Sequence, residues 1–135
     1  MWTPENTQRL KLAVLCIGLS ACAKHTNEEP QAGPSDPSGC HEVMVSYYAD
    51  EFSGRRTANG ETYRPEHMTA AHRTLPFGTV VHLEYHGKSV TVRVNDRGPY
   101  VRSMTFDLSR AAATELDIIR AGHARVRMCP VAGAR

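Results

Sequence analysis

Alternation with a period of two restricts this chain more than any other feature. Val81, Leu83 and Tyr85 in "TVVHLEY", and Val90, Val92 and Val94 in "SVTVRVN", each line one face of an extended segment. Only His86, Gly87 and Lys88 separate the two segments, so a hairpin is expected. The same pattern recurs in "HEVMVSYYA", with Val43, Val45 and Tyr47 against Met44, Ser46 and Tyr48, and in "HARVRMCPV", with Ala124, Val126 and Met128. One run, "DLSRAAATELDII", favours a helix and offers Ser109 as its N-cap. "MTAAHRTLPFG" reads as a short turn or helical piece ended by Pro76. Five or six short strands and a short helix predict an all-β fold, a small β-barrel. A length of 135 residues allows one such core and a tail.

The N-terminal segment has another character. Arg9 and Lys11 precede "LAVLCIGLSA", an apolar run of the length found in secretory signals and too short to span a bilayer. It ends in "LSAC", Leu19 to Cys22, which resembles the bacterial lipobox, where the chain is cut before an acylated cysteine. Residues 1–21 are therefore expected to be a lipoprotein signal peptide and Cys22 the lipidated first residue. Ala23 follows it, as in lipoproteins sent to the outer membrane of Gram-negative cells. The periplasmic face of that membrane is the expected location. Residues 22–39 carry no aliphatic side chain larger than alanine and are rich in Pro, Gly and Ser, so they read as a flexible tether. The domain is expected over 40–131, with 132–135 as a tail.

With Cys16 in the leader and Cys22 acylated, Cys40 and Cys129 remain as a pair in an oxidising compartment, and a disulfide between them is expected. Neither has a second ligand at zinc-site spacing, so no metal is expected. Removing Glu5, Arg9 and Lys11 with the leader leaves 14 basic against 13 acidic residues, which is no footprint for nucleic acid or an anionic membrane surface. Membrane contact is expected through the lipid anchor alone, and the domain is expected to be a monomer. No Walker loop, dinucleotide fingerprint or G-x-S-x-G is present, so no cofactor is implied.

Two places depart from simple strand patterning. "DEFSGRRTANGETYRPEH" is a long polar loop with a turn at Asn59-Gly60, and loops of this length in small domains usually serve a function. In "VRVNDRGPY", the valine register continues to Asp96, followed by Arg97, Gly98 and Pro99. Asp96 should then sit at the rim of the core, partly out of water, where burial favours the neutral acid. An Asp before a turn also commonly caps backbone N–H groups. His72 and Glu61 each have an ordinary reading as well: a hydrogen-bonded structural imidazole and a solvated loop carboxylate.

Taken in order, "SYYADEFSGRRTANGETY", "MTAAHRTLPFGTVVHL", "VTVRVNDRGPYV" and "FDLSRAAATELDI" resemble the rare lipoprotein A (RlpA) family over roughly Val43 to Met128. The resemblance implies a six-stranded double-psi β-barrel. It also implies a lytic transglycosylase that cuts peptidoglycan glycan strands between N-acetylmuramic acid and N-acetylglucosamine, leaving a 1,6-anhydro end. Matching the motifs position by position places the family's acid at Asp96, its histidine at His72 and its glutamate at Glu61. One carboxyl can act first as acid and then as base, since the muramic acid 6-hydroxyl replaces water as nucleophile. Tyr48, Thr57, Asn59 and Arg97 are expected to bind substrate, and Tyr48 and Phe52 could present flat faces to sugar rings, whereas Tyr47 is expected in the core. Two alternatives stay open: a glycan-binding protein without turnover, of the expansin type, and a hydrolase that would recruit Asp50 or Glu51 as a second carboxylate.

Overall fold

The structure, a computed structural model, describes residues 37–133. The expected leader at 1–21, the acylated Cys22, most of the tether and the end of the tail lie outside those residues. The chain runs through β1 (His41–Tyr47), a single 3-10 turn at Asp50–Phe52, β2 (Thr69–His72), β3 (Val80–Tyr85), β4 (Lys88–Asp96), β5 (Phe106–Leu108), α1 (Arg110–Glu115) and β6 (Ala124–Pro130). The strands close into a barrel in the order β1, β5, β2, β4, β3, β6. β1 lies parallel to β5 and β2 parallel to β4, while the other four contacts are antiparallel.

The alternating residues fill the interior. Val45, Leu83, Val92, Val94, Phe106 and Leu108 are all but inaccessible to water, and each such side chain stabilises the fold by about 1.5 to 3 kcal/mol relative to exposure. The β3–β4 hairpin turns through His86 and Gly87 at φ of 48° and 77°. Positive φ at both central residues gives the twist that antiparallel strands need. Ser109 caps α1, its hydroxyl oxygen accepting the Ala112 N–H at 3.3 Å. Tyr47 packs against the core, as expected, and its hydroxyl donates to the Ile119 carbonyl at 3.0 Å.

Two elements differ from the sequence expectation. "TAAH" is strand β2 and not a turn or helical piece, because it lies between β4 and β5 with ladder partners on both sides. Ala70 and Ala71 are small enough to sit there almost wholly buried, and tertiary pairing overrides the helical preference of alanine. The inward register of β4 also stops one residue early. Ala70 pairs with Val94 but Ala71 pairs with Asp96, so Asn95 is an extra residue, a β-bulge. Asp96 is thereby moved off the face of Val90, Val92 and Val94 onto the opposite face, in line with Ala71.

The loop from 53 to 63 is tied to this bulge. Its tip is a tight turn bridged by Arg56 and Thr62, with Gly60 at φ 93°. Glu61 follows, and its carboxylate takes Arg93 Nη1 and Nη2 at 2.7 and 2.8 Å, Asn59 Nδ2 at 2.8 Å and Asn95 Nδ2 at 3.1 Å. The Asn59 N–H also donates to the Asn95 carbonyl at 3.3 Å. The hydrogen bonds from Arg93, then those from Asn59 and Asn95, push the Glu61 carboxyl down to about 2.

Both ties have measurable consequences. Cys40 and Cys129 form a disulfide across a sequence separation of 89. On the chain-entropy model, replacing both by alanine lowers stability by roughly 4 to 5 kcal/mol, which a urea titration of the variant against the parent would register; an unchanged midpoint would refute this. Glu61 is depressed in the folded state, so its contribution is present above the unfolded carboxyl range and is lost as pH falls towards 2. With the side chain 40% exposed, solvent screening reduces the effect to about 1 kcal/mol. Glu61→Gln is therefore expected to lower the urea midpoint at pH 7 and to differ from the parent by much less at pH 2.5; an equal difference at both pH values would contradict the ion-pair account.

Candidate active site

The bulge places Asp96 in a transverse row of residues on the outer face of the barrel. Ser46 on β1 pairs with Asp107 on β5, Asp107 pairs with Ala71 on β2, and Ala71 pairs with Asp96 on β4. Directly opposed residues share a face, so two carboxyls and a hydroxyl point the same way with only an alanine methyl between the acids. Above them lies a cleft of about 490 Å³, whose walls include Tyr48, Phe52, Thr57, Arg97 and Tyr100.

Asp96 is held from three directions. Oδ2 accepts the Tyr48 hydroxyl at 2.6 Å, and Oδ1 accepts the backbone N–H groups of Ala58 and Arg97, each at 2.8 Å. Ala58 belongs to the loop that Glu61 anchors, and Arg97 begins the turn that follows. Tyr48 is fixed between other rings, 4.6 Å from Tyr63 and 5.9 Å from Phe52 between centroids. Burial, and then the hydrogen bond and charge of Asp96, push its phenol far above the ordinary tyrosine range. It is a donor throughout the physiological range.

Asp107 has a different shell. Its Oδ1 accepts the Ser46 hydroxyl in a short hydrogen bond. Burial pushes its carboxyl up; Ser46 opposes this, the charge of Asp96 adds to it, and Arg73 opposes it. Asp107 lines the cleft with Tyr100. Gly98 stands beside it, and a Cβ at that position would lie 4.0 Å from Asp107 Oδ2 and 3.9 Å from the Ala71 methyl.

The other expected site residues are placed less directly. His72 shares the face of Phe106, its ladder partner, and its ring packs 4.7 Å from the Phe106 ring. Its Nδ1 accepts the N–H groups of Thr74 and Leu75 at 3.1 and 2.9 Å, which leaves Nε2 to carry the proton. Burial, followed by the charges of Arg73 and Arg97, lowers its pKa, so the imidazole is neutral at pH 7. None of these hydrogen bonds runs to Asp96. Glu61 meets neither His72 nor the cleft, since its oxygens are taken by Arg93, Asn59 and Asn95.

Thr57 lines the cleft, but its hydroxyl donates to Asn59 Oδ1 at 2.7 Å, and Asn59 in turn donates to Glu61, so both support the turn. Arg97 also lines the cleft. Its guanidinium donates to the carbonyls of His72 and Leu75 and lies 3.8 Å over the Phe77 ring. Asp50 pairs with Arg110 at 2.7 Å on the surface and Glu51 is exposed; neither lines the cleft.

Two contributors escaped the sequence reading. Asp107 stands between two fully buried apolar residues in "FDL", and that alternation was its signal. Arg73 donates to the carbonyls of Pro99 and Met104 at 3.0 and 2.7 Å, fixing the segment that carries Tyr100.

Comparison with known proteins agrees with this architecture. The sequence profile of the family described as lytic transglycolase matches residues 41–128. A protein of Treponema pallidum named probable endolytic peptidoglycan transglycosylase RlpA is 56% identical over 87 residues, which are 63% of this chain and 27% of that protein. The endolytic peptidoglycan transglycosylase RlpA of Campylobacter jejuni is 46% identical over 87 residues, 63% of this chain and 32% of that one. The protein of the same name from Pseudomonas aeruginosa is 51% identical over 86 residues, 62% of this chain and 25% of its own length. The chain thus matches between a quarter and a third of the length of these curated relatives.

Among solved structures, an expansin of Clavibacter michiganensis superposes with a TM-score of 0.59 at 16% identity, covering 71% of this chain and 52% of that one. A Streptomyces papain inhibitor gives 0.55 at 23% identity, covering 67% and 92%. These two share the fold. Because the profile spans nearly all of the closed barrel, the chain belongs to the rare lipoprotein A family of lytic transglycolases, built on a double-psi β-barrel.

Proposed function

We propose that this protein is an endolytic lytic transglycosylase of peptidoglycan, acting in cell-wall remodelling or cell separation. The observation that carries the reading is Asp96: a bulge turns it out of the core into an open cleft, and three donors fix its orientation there. The names of the relatives that match over the same residues support the substrate.

The reaction breaks the bond between C1 of N-acetylmuramic acid and O4 of N-acetylglucosamine, with the muramic acid O6 closing on C1. The departing O4 must gain a proton and O6 must lose one, and Asp96, held in the cleft by three donors, is the carboxylate to take the O6 proton. Tyr48 and the N–H groups of Ala58 and Arg97 hold that carboxylate in place. Phe52 and Tyr100, exposed on the cleft walls, offer flat apolar surfaces for sugar rings. Glu61 and His72 are positioning residues in this scheme. Glu61 holds the loop whose Ala58 N–H meets Asp96, and His72 orders the turn at Thr74 and Leu75 on which Arg97 rests.

The substrate is extracytoplasmic, which agrees with the leader and the "LSAC" motif. The protein then works as a monomer tethered by acylated Cys22 to the periplasmic face of the outer membrane, and one acyl cluster suffices to localise a domain whose surface has no net basic excess. Labelling cells with a palmitate analogue should mark the protein and fail with Cys22→Ala. Persistence of label in that variant would refute the anchor.

The deciding assay digests purified peptidoglycan with the protein and identifies products by mass spectrometry. Soluble fragments with 1,6-anhydro ends are expected, and Asp96→Asn should reduce their release by about 10² to 10⁴ fold with an unchanged circular dichroism spectrum. Reducing ends would indicate a hydrolase. Retention on peptidoglycan without soluble product would favour an expansin-like binding protein.

A further inference from the structure

Two carboxyls of opposite surroundings share one face of the barrel, one strand apart. At strand spacings of about 4.8 Å, their Cα atoms lie roughly 9 to 10 Å from each other, with Ala71 between and Gly98 above. The Asp96 carboxylate accepts hydrogen bonds from Tyr48 at Oδ2 and from the Ala58 and Arg97 N–H groups at Oδ1, which leaves a lone pair of Oδ2 to take a proton. Asp107 lines the cleft, Ser46 donates to its Oδ1, and its Oδ2 lies by Gly98, with the Tyr100 ring close to the same point. Burial favours the protonated form of this acid at pH values where an ordinary aspartate has lost its proton. When two acids in one cleft are held in environments that separate them in this way, the division of acid and base work follows.

We propose that Asp107 is a second catalytic carboxyl, the general acid that protonates the departing glycosidic oxygen while Asp96 takes the proton of the muramic acid 6-hydroxyl. The assignment rests on the lytic transglycosylase reading above. In the step, the C1–O4 bond breaks and O4 receives the Asp107 proton, becoming the free 4-hydroxyl of N-acetylglucosamine. O6 bonds to C1 and its proton passes to Asp96. The products are the 1,6-anhydro end and a new non-reducing end, with no water consumed. Exchange with solvent then returns the proton to Asp107 and frees Asp96.

The test uses the full chain on two substrates: peptidoglycan, and a GlcNAc-MurNAc disaccharide carrying nitrophenolate on the muramic acid C1. Nitrophenolate leaves without protonation. Asp107→Asn should therefore lose about 10² to 10⁴ fold in kcat on peptidoglycan and only a few fold on the nitrophenyl substrate. Asp96→Asn should be impaired on both. Loss of Asp107→Asn activity to the same extent on both substrates, or full retention on peptidoglycan, overturns the assignment.

A second variant avoids replacing a half-buried acid. The groups facing Asp107 are Ser46, Arg73, Asp96 and Tyr48. Of these, Ser46 donates to the charged carboxylate and holds the pKa down, so Ser46→Ala raises it. The acid then stays protonated further, and the basic limb of the kcat profile should move to higher pH with KM little changed. An unmoved limb also overturns the assignment. Absence of anhydro product from the unmodified protein would instead overturn the proposed function, and this assignment with it.

Discussion

A closed barrel of short strands has no room for a carboxylate among its inward valines, and the bulge at Asn95 is the device that resolves the conflict. Transfer of an ionised carboxylate into that interior would be strongly unfavourable without a partner. One extra residue in β4 reverses the facing of everything after it. The bulged residue then needs partners of its own, because its backbone and amide are buried. They come from the long loop: the Asn95 carbonyl accepts the Asn59 N–H and the Asn95 amide donates to Glu61. The same loop delivers the Ala58 N–H to Asp96. Turning the acid outward and clamping the loop over it are thus one arrangement.

That coupling explains which features were legible in the sequence. The hairpin, the first and last strands and the capped helix were visible because local periodicity and local turn chemistry determine them. β2 and β5 were not, since "TAAH" and "FDL" are only four and three residues long and become strands by pairing with partners distant in sequence. The position of Asp96 at a strand end was legible, but its facing was not: a bulge is a property of two strands, and the register of β2 against β4 is absent from either segment alone. The disulfide was legible because it followed from cysteine count and compartment.

The roles of Glu61 and His72 were harder to read for a related reason. Residue type and motif named them, but a carboxylate's function depends on how many donors already hold it. Glu61 accepts four hydrogen bonds and forms a forked pair with Arg93, so its oxygens are committed to the loop. His72 is equally committed at Nδ1, and burial, with the charges of Arg73 and Arg97, keeps it neutral. Both connect to Asp96 only through backbone: Glu61 holds the loop whose Ala58 N–H meets Asp96, and His72 orders the turn whose Leu75 carbonyl takes Arg97. A motif can therefore mark the residues that aim a group as well as the group itself.

Small residues complete the site in a way that side-chain chemistry does not disclose. Ala71 is the only residue between the two acids in the row from Ser46 to Asp96, and its methyl is itself buried. Gly98, at φ 135°, covers the same point without a Cβ. A larger side chain at 71 would rise between the carboxyls and exclude whatever they act upon; one at 98 would be strained and would close on Asp107. The cleft floor is thus defined by what these two positions lack. Conserving both acids while enlarging either position would preserve every titrating group and still remove the space in which a proton could pass from one end of a substrate to the other.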